Sequence, residues 1–260
     1  MDLFSVAGKV AIVTGASRGL GRAISSGFLA AGGSVVGAAR TEWDIPGADR
    51  ALFVKTDVSK PDNVDRLVSQ ALARFGRIDI LVNNAGVEED VPASDLTLDR
   101  FDETMAVNLR GAFHLCREAG RDMLQRGSGK IINIASVLGF VAYPGALAYS
   151  ASKAALIQMT RTLAVEWGPK GVNVNCIAPG FFNTELVREY LDDPEQMSFI
   201  LARNPSGRTA EPEEILGTVQ YLASAASDYV HGALLVVDGG ESVAGGYTKA
   251  ILDDIGQDTR

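Results

Sequence analysis

The sequence predicts a single-domain α/β protein in which one doubly wound parallel sheet carries helices on both faces. Short apolar runs rich in β-branched residues alternate along the chain with longer segments of helical periodicity. A glycine-rich turn joins the first apolar run to the first helical segment. Because strands separated by helices connect through right-handed crossovers, this alternation favours parallel strands buried between two helical layers.

The predicted elements follow in chain order. Strands are predicted at residues 9–14, 34–39, 51–55, 78–82, 130–135, 172–177 and 233–237. Helices are predicted after residue 21 and at residues 61–75, 97–125, 150–167 and 213–224. Gly168 and Pro169 end the long helix at residue 167.

Glycines and polar residues stand just past the ends of the predicted strands. In a doubly wound sheet, ligands bind beyond the carboxyl ends of the strands. The residues at these positions are Gly15, Arg40, Asp57, Asn83, Ser136 and Pro179. The pattern therefore indicates a Rossmann-type fold with its ligand site at one edge of the sheet.

Length and composition limit the classes of function. The chain has 260 residues, of which 47% are hydrophobic and 22% charged, and no spacer or repeat divides it, so one domain over residues 1–260 is expected. A formal net charge of −8 argues against a nucleic acid or an anionic membrane as partner. The first residues lack an export signal, and no apolar run reaches the roughly 18 residues of a membrane span. We therefore expect a cytoplasmic protein.

The cysteines and histidines show no metal-binding motif. Cys116 and Cys176 lack C-x-x-C spacing, so both are interpreted as small buried residues without a disulfide. His114 and His231 are interpreted as isolated, and no metal site is expected.

The glycine-rich turn, G-A-S-R-G-L-G at residues 15–21, is suited to bind a pyrophosphate. Its glycines permit a tight bend and point the N–H groups of a helix N-terminus at an anion. The G-x-x-x-G-x-G spacing differs from a P-loop, so a dinucleotide is favoured over a nucleoside triphosphate, and a tight turn without a ligand is the alternative. The candidate cofactor-binding residues here are Gly15, Ser17, Arg18, Gly19, Leu20 and Gly21.

The same turn matches G-x-S-x-G, in which Ser17 would be the nucleophile of an α/β-hydrolase. That interpretation is disfavoured because such a turn usually follows several strands, whereas this one follows the first. Of the two histidines, only His231 lies late enough in the chain to fit the order of such a triad comfortably.

Tyr149 and Lys153 are the strongest candidates for chemistry. They are four positions apart in a helical segment, so the phenol and the ammonium share one face. A nearby cation favours the phenolate, and we expect Lys153 to lower the pKa of Tyr149 from its ordinary value of about 10 toward the working range.

Several motifs, in a common order over residues 9–240, resemble those of the short-chain dehydrogenase/reductase family in its classical branch. They are T-G-A-S-R-G-L-G at residues 14–21, N-N-A-G at residues 83–86, Asn108, Ser136, Tyr149 with Lys153, P-G at residues 179–180 with Thr184, and D-G-G at residues 238–240.

This resemblance implies an NAD(P)-dependent oxidoreductase that transfers a hydride between nicotinamide and a carbonyl or secondary alcohol. It implies that Tyr149 is the acid/base and that Lys153 tunes it. Both residues are also implied to contact the cofactor, Lys153 at the nicotinamide ribose, and Ser136 is implied to bond the substrate oxygen. Asn108 would support a water that links Lys153 to solvent. The other implied cofactor contacts are Asp57 and Val58 at the adenine, Asn83, Asn84, Ala85 and Gly86 along the cofactor path, and Pro179, Gly180 and Thr184.

The end of the second strand predicts NADP as the cofactor, with NAD as the open alternative. The family's acidic ribose-binding position corresponds to Ala39, whereas Arg40 with Arg18 would hold a 2′-phosphate by charge-assisted bonds. Glu42 is the counter-argument, because a small shift of the loop would bring its carboxylate to the ribose.

The resemblance implies a sugar acid, a polyol or a small ketone as substrate, enclosed by a lid at about residues 181–208. A 3-oxoacyl-carrier-protein reductase is an alternative, and a nucleotide-binding regulator without turnover is another. A carrier protein would be attracted by Arg110, Arg117, Arg121 and Arg126. The candidate substrate wall is Val137, Leu138, Gly139, Tyr143, Phe181, Phe182 and Asn183.

A homotetramer is also implied. The helices at residues 97–125 and 150–167 carry more apolar surface than one sheet face needs, and in the family they form a four-helix interface. The final strand and residues 238–240 would contribute a second interface.

Overall fold

Seven strands form one parallel sheet in the order β3-β2-β1-β4-β5-β6-β7 within residues 2–47 and 49–244, the part of the chain that the computed structural model describes. The predicted α/β fold is confirmed, and the predicted domain of residues 1–260 extends outside the described part. The strands are β1 (Val10–Thr14), β2 (Ser34–Ala39), β3 (Ala51–Lys55), β4 (Ile80–Asn83), β5 (Gly129–Ile134), β6 (Val172–Pro179) and β7 (Leu234–Val237).

The described helices cover both faces of this sheet. They are α1 (Gly19–Ala30), α2 (Pro61–Phe75), α3 (Leu98–Met105), α4 (Ala112–Arg126), α5 (Leu147–Trp167), α6 (Arg188–Asp192), α7 (Pro194–Arg203) and α8 (Leu216–Ala223). None of them is both long and apolar enough to cross a bilayer.

The core consists of two apolar layers separated by the sheet. Successive strand residues point to opposite faces, so Ile12 packs in the layer beneath α2 and α4 while Val13 packs in the layer beneath α1 and α8. In β2, Val36 packs in the same layer as Ile12, and Val35 packs in the same layer as Val13. Because both faces of the sheet are buried, β1 and β2 are nearly continuous runs of apolar and small residues, which is why the sequence revealed these strands clearly.

The strand order reverses at β1, and this reversal positions the site. Val13 of β1 lies opposite Gly37 of β2 on one side and opposite Val82 of β4 on the other. The chain therefore adds strands in one direction from β1 in its first part and in the opposite direction in its second part. A crevice opens at the carboxyl ends of β1 and β4, where the direction changes.

Two helical regions differ from the sequence prediction. The predicted helix at residues 97–125 is interrupted by a π-helical turn, Ala106–Gly111, between α3 and α4. The predicted lid at residues 181–208 contains two helices, α6 and α7, that the sequence analysis did not identify. Asp193 caps α7 by accepting hydrogen bonds from the backbone N–H groups of Glu195 at 2.9 Å and Gln196 at 3.3 Å, and Pro194 occupies the first helical position.

Candidate active site

A cavity of about 310 Å³ lies at the crevice beside β1. The N-terminus of α1 borders it, so backbone N–H groups and the positive end of that helix face the space where a pyrophosphate would bind. Twelve of the predicted cofactor-binding residues line it: Gly15, Ser17, Arg18, Gly19, Leu20, Arg40, Asp57, Val58, Asn84, Ala85, Gly86 and Thr184.

Hydrogen bonds from β1 hold the glycine-rich turn against the loop after β4. The Thr14 hydroxyl accepts from the backbone N–H groups of Asn84 and Ala85, both at 3.0 Å, and the Asn84 side chain donates to the Thr14 carbonyl at 2.9 Å. Gly21 does not line the cavity. A Cβ on Gly21 would overlap the Gly15 carbonyl oxygen and lie 2.5 Å from Asn84 Nδ2, so this glycine permits the turn to close.

Two exposed arginines line this cavity. Arg18 and Arg40 line it, and neither guanidinium has a hydrogen-bond or ion-pair partner among the described residues. Burial raises the pKa of Asp57, but hydrogen bonds from Ser59 and the charge of Arg40 outweigh it, and the net pKa is lowered. Glu42, the residue that argued for NAD, is exposed and does not line the cavity.

A second cavity, of about 140 Å³, adjoins the first and shares Leu20, Asn84, Gly86, Thr184 and Leu186 with it. Three of the four predicted catalytic residues line this second space, together with two predicted cofactor contacts: Ser136, Tyr149, Lys153, Pro179 and Gly180. We call it the substrate cavity. Five residues of the predicted substrate wall line this cavity: Val137, Leu138, Tyr143, Phe181 and Phe182. The other two do not line it, because Gly139 packs on α5 and Asn183 is exposed.

Tyr149 is buried, with 8% of its surface exposed. Burial raises the pKa of its phenol, the negative charge of Glu88 raises it further, and a hydrogen bond with Ser136 opposes both. The expectation that Lys153 lowers the pKa of Tyr149 is therefore wrong for this structure, because desolvation dominates.

Lys153 is also buried, with 3% exposed. Its ammonium donates to the Ile134 carbonyl at 2.8 Å and lies 5.4 Å from the centroid of the Tyr149 ring. Burial lowers the pKa of Lys153 to about 8, against the opposing charges of Cys176 and Glu88. The ammonium thus lies within reach of the tyrosine and is anchored to the end of β5.

Asn108 lies behind the cavities, in the π-helical turn. Its Oδ1 accepts from the Val87 N–H at 2.9 Å, and its Nδ2 donates to the Val87 carbonyl at 2.9 Å and to the Ser152 hydroxyl at 3.1 Å. Asn83 also lies outside both cavities. It donates to Asn133 Oδ1 at 2.8 Å and so braces β4 against β5, while its neighbour Asn84 borders the cofactor path.

Two carboxylates of the substrate cavity, Glu88 and Glu241, were not predicted from the sequence. Burial raises the pKa of both carboxyl groups. Glu88 follows N-N-A-G past β4, and Glu241 follows D-G-G past β7. The rule that ligands bind beyond the strand ends would have marked both positions.

The structure disfavours the hydrolase interpretation. His231 Nε2 lies 3.0 Å from the side chain of Asn173, at the start of β6, whereas Ser17 follows the carboxyl end of β1. In a parallel sheet these are opposite edges, so Ser17 and His231 do not meet.

The interpretation of His114 as isolated is wrong. Its Nε2 lies 2.9 Å from Asp65 Oδ1 and 3.7 Å from Glu118 Oε1. Each of the three residues offers one ligand atom, and these atoms lie close enough together to hold a metal ion. Arg117 and Arg121 already bind Glu118, at 2.8 and 2.5 Å. Ion pairs with two arginines therefore already engage Glu118, one of the three groups in this cluster on α2 and α4.

Comparison with known proteins places this geometry in a family. A family model described as Enoyl-(Acyl carrier protein) reductase matches residues 15–242. A 2-dehydro-3-deoxy-D-gluconate 5-dehydrogenase from Pseudoalteromonas atlantica is 41% identical over 253 residues, covering 92% of this chain and 98% of the relative. A 2-(R)-hydroxypropyl-CoM dehydrogenase from Xanthobacter autotrophicus is 40% identical, covering 89% and 97%.

A solved structure shares the architecture. The gluconate 5-dehydrogenase from Burkholderia cenocepacia, in complex with NADP and tartrate, superposes with a TM-score of 0.89 at 36% identity and covers 93% of this chain and 98% of that one. Together with the motifs and the paired cavities, these matches show that the chain belongs to the short-chain dehydrogenase/reductase family, whose members are NAD(P)-dependent oxidoreductases of carbonyl and secondary alcohol groups.

Proposed function

We propose that this protein is an NADP(H)-preferring oxidoreductase that interconverts a secondary alcohol and a ketone on a polyol, a sugar acid or a small ketone. One observation carries the proposal. Ser136, Tyr149 and Lys153 open into a cavity that is continuous with a glycine-lined dinucleotide crevice. A bound nicotinamide supplies the hydride acceptor or donor, and this chain's side chains handle the proton.

In the proposed mechanism Tyr149 exchanges the proton of the substrate oxygen. Ser136 holds that oxygen and, through its hydrogen bond to the phenol, favours the phenolate. Lys153, protonated below pH about 8, adds a positive charge beside the buried phenol. Asn108 positions the loop after β4 and the neighbouring Ser152, which accepts from Asn108 and donates to the Tyr149 carbonyl at 2.6 Å.

The proposed preference for NADP depends on Arg40 and Arg18. Both line the cofactor cavity at the end where a 2′-phosphate would lie, and charge-assisted bonds from guanidinium groups suit that anion. Glu42 lies outside the cavity, so no carboxylate from the loop competes for the ribose there. The Burkholderia cenocepacia relative, which holds NADP, supports the same choice.

The carrier-protein alternative has less support. The arginines that would attract an acidic carrier are already engaged: Arg117 and Arg121 with Glu118, Arg126 with Asp122 at 2.9 Å, and Arg110 with the Ser59 carbonyl at 3.3 Å. The regulator alternative requires a defective site, and all four predicted catalytic residues are retained. The lid at residues 181–208, the homotetramer and the cytoplasmic location stay predictions.

Absorbance at 340 nm tests the proposed function. Purified protein should oxidise NADPH with a panel of small diketones and ketoses, and should reduce NADP⁺ with the matching alcohols. Parallel assays with NADH and NAD⁺ should give lower kcat/KM. No turnover of any carbonyl or alcohol by folded protein that binds NADPH would favour the regulator instead.

A further inference from the structure

We propose that the substrate cavity selects an uncharged polyol, or the hydroxyketone formed from it, over a sugar acid of the same chain length, because Glu88 and Glu241 face the substrate. This proposal rests on the proposed function and specifies its substrate class. It also separates this chain from the relatives whose names contain gluconate.

The charges that line the cavity carry the inference. Among the described residues, its only charged members are Glu88, Lys153 and Glu241. Lys153 already donates to the Ile134 carbonyl at 2.8 Å and lies at the Tyr149 end of the cavity. The remainder of the lining is aromatic, aliphatic or neutral polar, so the two carboxylates, when both are ionised, give the cavity a net negative charge even when Lys153 is protonated.

Glu241 is held at the cavity by a rigid turn. Asp238 accepts hydrogen bonds from the N–H groups of Gly240 at 2.9 Å and Ser242 at 2.8 Å, which shapes the chain around Glu241. A Cβ added to Gly180 would lie 3.2 Å from Glu241 Oε2, so this carboxylate oxygen lies against the Gly180 backbone. That oxygen is buried and accepts no hydrogen bond from any described residue. A buried acceptor without a donor is costly, so a substrate hydroxyl that reached Glu241 would supply a hydrogen bond that the described residues do not.

Glu88 presents the second acceptor. It follows the loop that Asn108 fixes at Val87, and no hydrogen bond or ion pair engages its carboxylate within the described residues. Glu88 lines the same cavity as Tyr149 and Lys153, and its negative charge raises the pKa of both groups.

Hydroxyl groups and a carboxylate would meet these two residues differently. A polyol can donate hydroxyl hydrogen bonds to both carboxylates, and such charge-assisted bonds are strong. A sugar acid would bring a further anion beside two anions in a poorly hydrated space, where like charges repel. Arg203 is the described cation that acts on Glu241, but its side chain is exposed, stacks on Phe199 and does not line the cavity.

Matched substrate pairs test the proposal. Initial rates with NADP⁺ are compared for xylitol against D-xylonate and for D-sorbitol against D-gluconate, at one pH and one ionic strength. We expect kcat/KM to be at least about tenfold higher for the polyol in each pair, with KM carrying most of the difference. A sugar acid that equals or exceeds its polyol would overturn the proposal.

Charge-neutralising variants assign the effect to the two residues. Glu88→Gln and Glu241→Gln should each reduce the polyol-to-aldonate ratio by at least about threefold, since an amide keeps the shape and removes the repulsion. Glu89→Gln is the matched control, because Glu89 is the neighbouring residue, binds Arg100 at 2.8 Å and does not line the cavity. If the polyol-to-aldonate ratio is unchanged in both Glu88→Gln and Glu241→Gln, the assignment of the preference to these two carboxylates is overturned. Turnover of an uncharged diketone by the wild type separates this outcome from failure of the proposed function.

Discussion

Tyr149 and Lys153 share one face of α5, yet the structure gives them different electrostatic environments. Desolvation raises the pKa of the tyrosine and lowers the pKa of the lysine, so burial favours the neutral form of both groups. Only the hydrogen bond with Ser136 opposes that tendency for the phenolate. The i, i+4 spacing in the sequence therefore identified the pair, but it could not give the cost of burying it.

The first prediction at this scale concerns pH. Because the pKa of Lys153 is lowered to about 8, its ammonium is lost as the pH rises through 8, and a ribose contact made by that ammonium weakens with it. The Kd for NADPH should therefore increase between pH 7 and 9.5. Cys176, whose pKa is raised to about 11, does not titrate in that window. Fluorescence titration measures the Kd, and Lys153→Met should show weaker binding without this pH dependence.

A Kd for NADPH that is constant from pH 7 to 9.5 in the wild type would remove the ribose role from Lys153. Circular dichroism at both ends of the range provides the control for unfolding.

The second residue-scale prediction concerns Arg40. Arg40→Ala should weaken NADPH binding by about 1.5–3 kcal/mol, the range expected for a charged hydrogen bond, and leave NADH binding nearly unchanged. Added salt should reduce the difference, since the side chain is exposed. Calorimetric titration of both cofactors checks this. A wild type that prefers NADH, or equal weakening of both cofactors, would show that Arg40 does not set the preference.

Among the structural elements, the glycine-rich turn shows how a backbone contact creates a site. Gly21 has no side chain because the Gly15 carbonyl and the Asn84 amide occupy that space. Close packing of the turn against the loop after β4 in turn brings Asn84, Ala85 and Gly86 to the cofactor cavity.

Gly21→Ala should therefore displace the turn, lower the Tm and weaken NADPH binding at least about tenfold. Gly217→Ala is the matched control, because Gly217 lies in α8 and a Cβ there meets nothing within 4 Å. The control should be neutral or more stable by about 0.5–1 kcal/mol, as helix propensity predicts. Thermal unfolding and cofactor titration of both variants give the answer, and equal effects would contradict the packing argument.

The sequence predicted the strands more closely than the helical regions around the site. β2 and β3 begin and end at the predicted residues, although β3 lies at the edge of the sheet and is only partly buried. The π-helical turn was not visible, since an extra residue in one helical turn leaves composition and polarity unchanged. Glu88 and Glu241 were missed for a related reason: the position of a loop residue is readable from the strand end, but the direction of its side chain is not.

At the scale of the whole molecule, exposed apolar residues lie on the elements for which interfaces are predicted. Phe113 of α4 and Val165 of α5 are 45% and 78% exposed, and Val236 and Val243 at the end of the sheet are 43% and 83% exposed. Large apolar side chains left in water in this arrangement favour association of identical subunits.

The predicted homotetramer has a direct test. Light scattering at micromolar concentration should give about four times the chain mass of 27.5 kDa. Val165→Arg should reduce that mass by placing like charges across the helical interface, whereas Val165→Ala should preserve it. A monomeric wild type would refute the prediction.

The central claim is that Tyr149 transfers the substrate proton next to an NADP(H) site that does not depend on it. Tyr149→Phe removes only the hydroxyl of a buried ring, so the fold and the cofactor cavity should be retained. Single-turnover oxidation of bound NADPH by an excess of an accepted ketone, followed at 340 nm, is the measurement. We expect a rate lower by about 10²–10⁴-fold with an unchanged Kd for NADPH. A near-normal rate in the folded variant would contradict it.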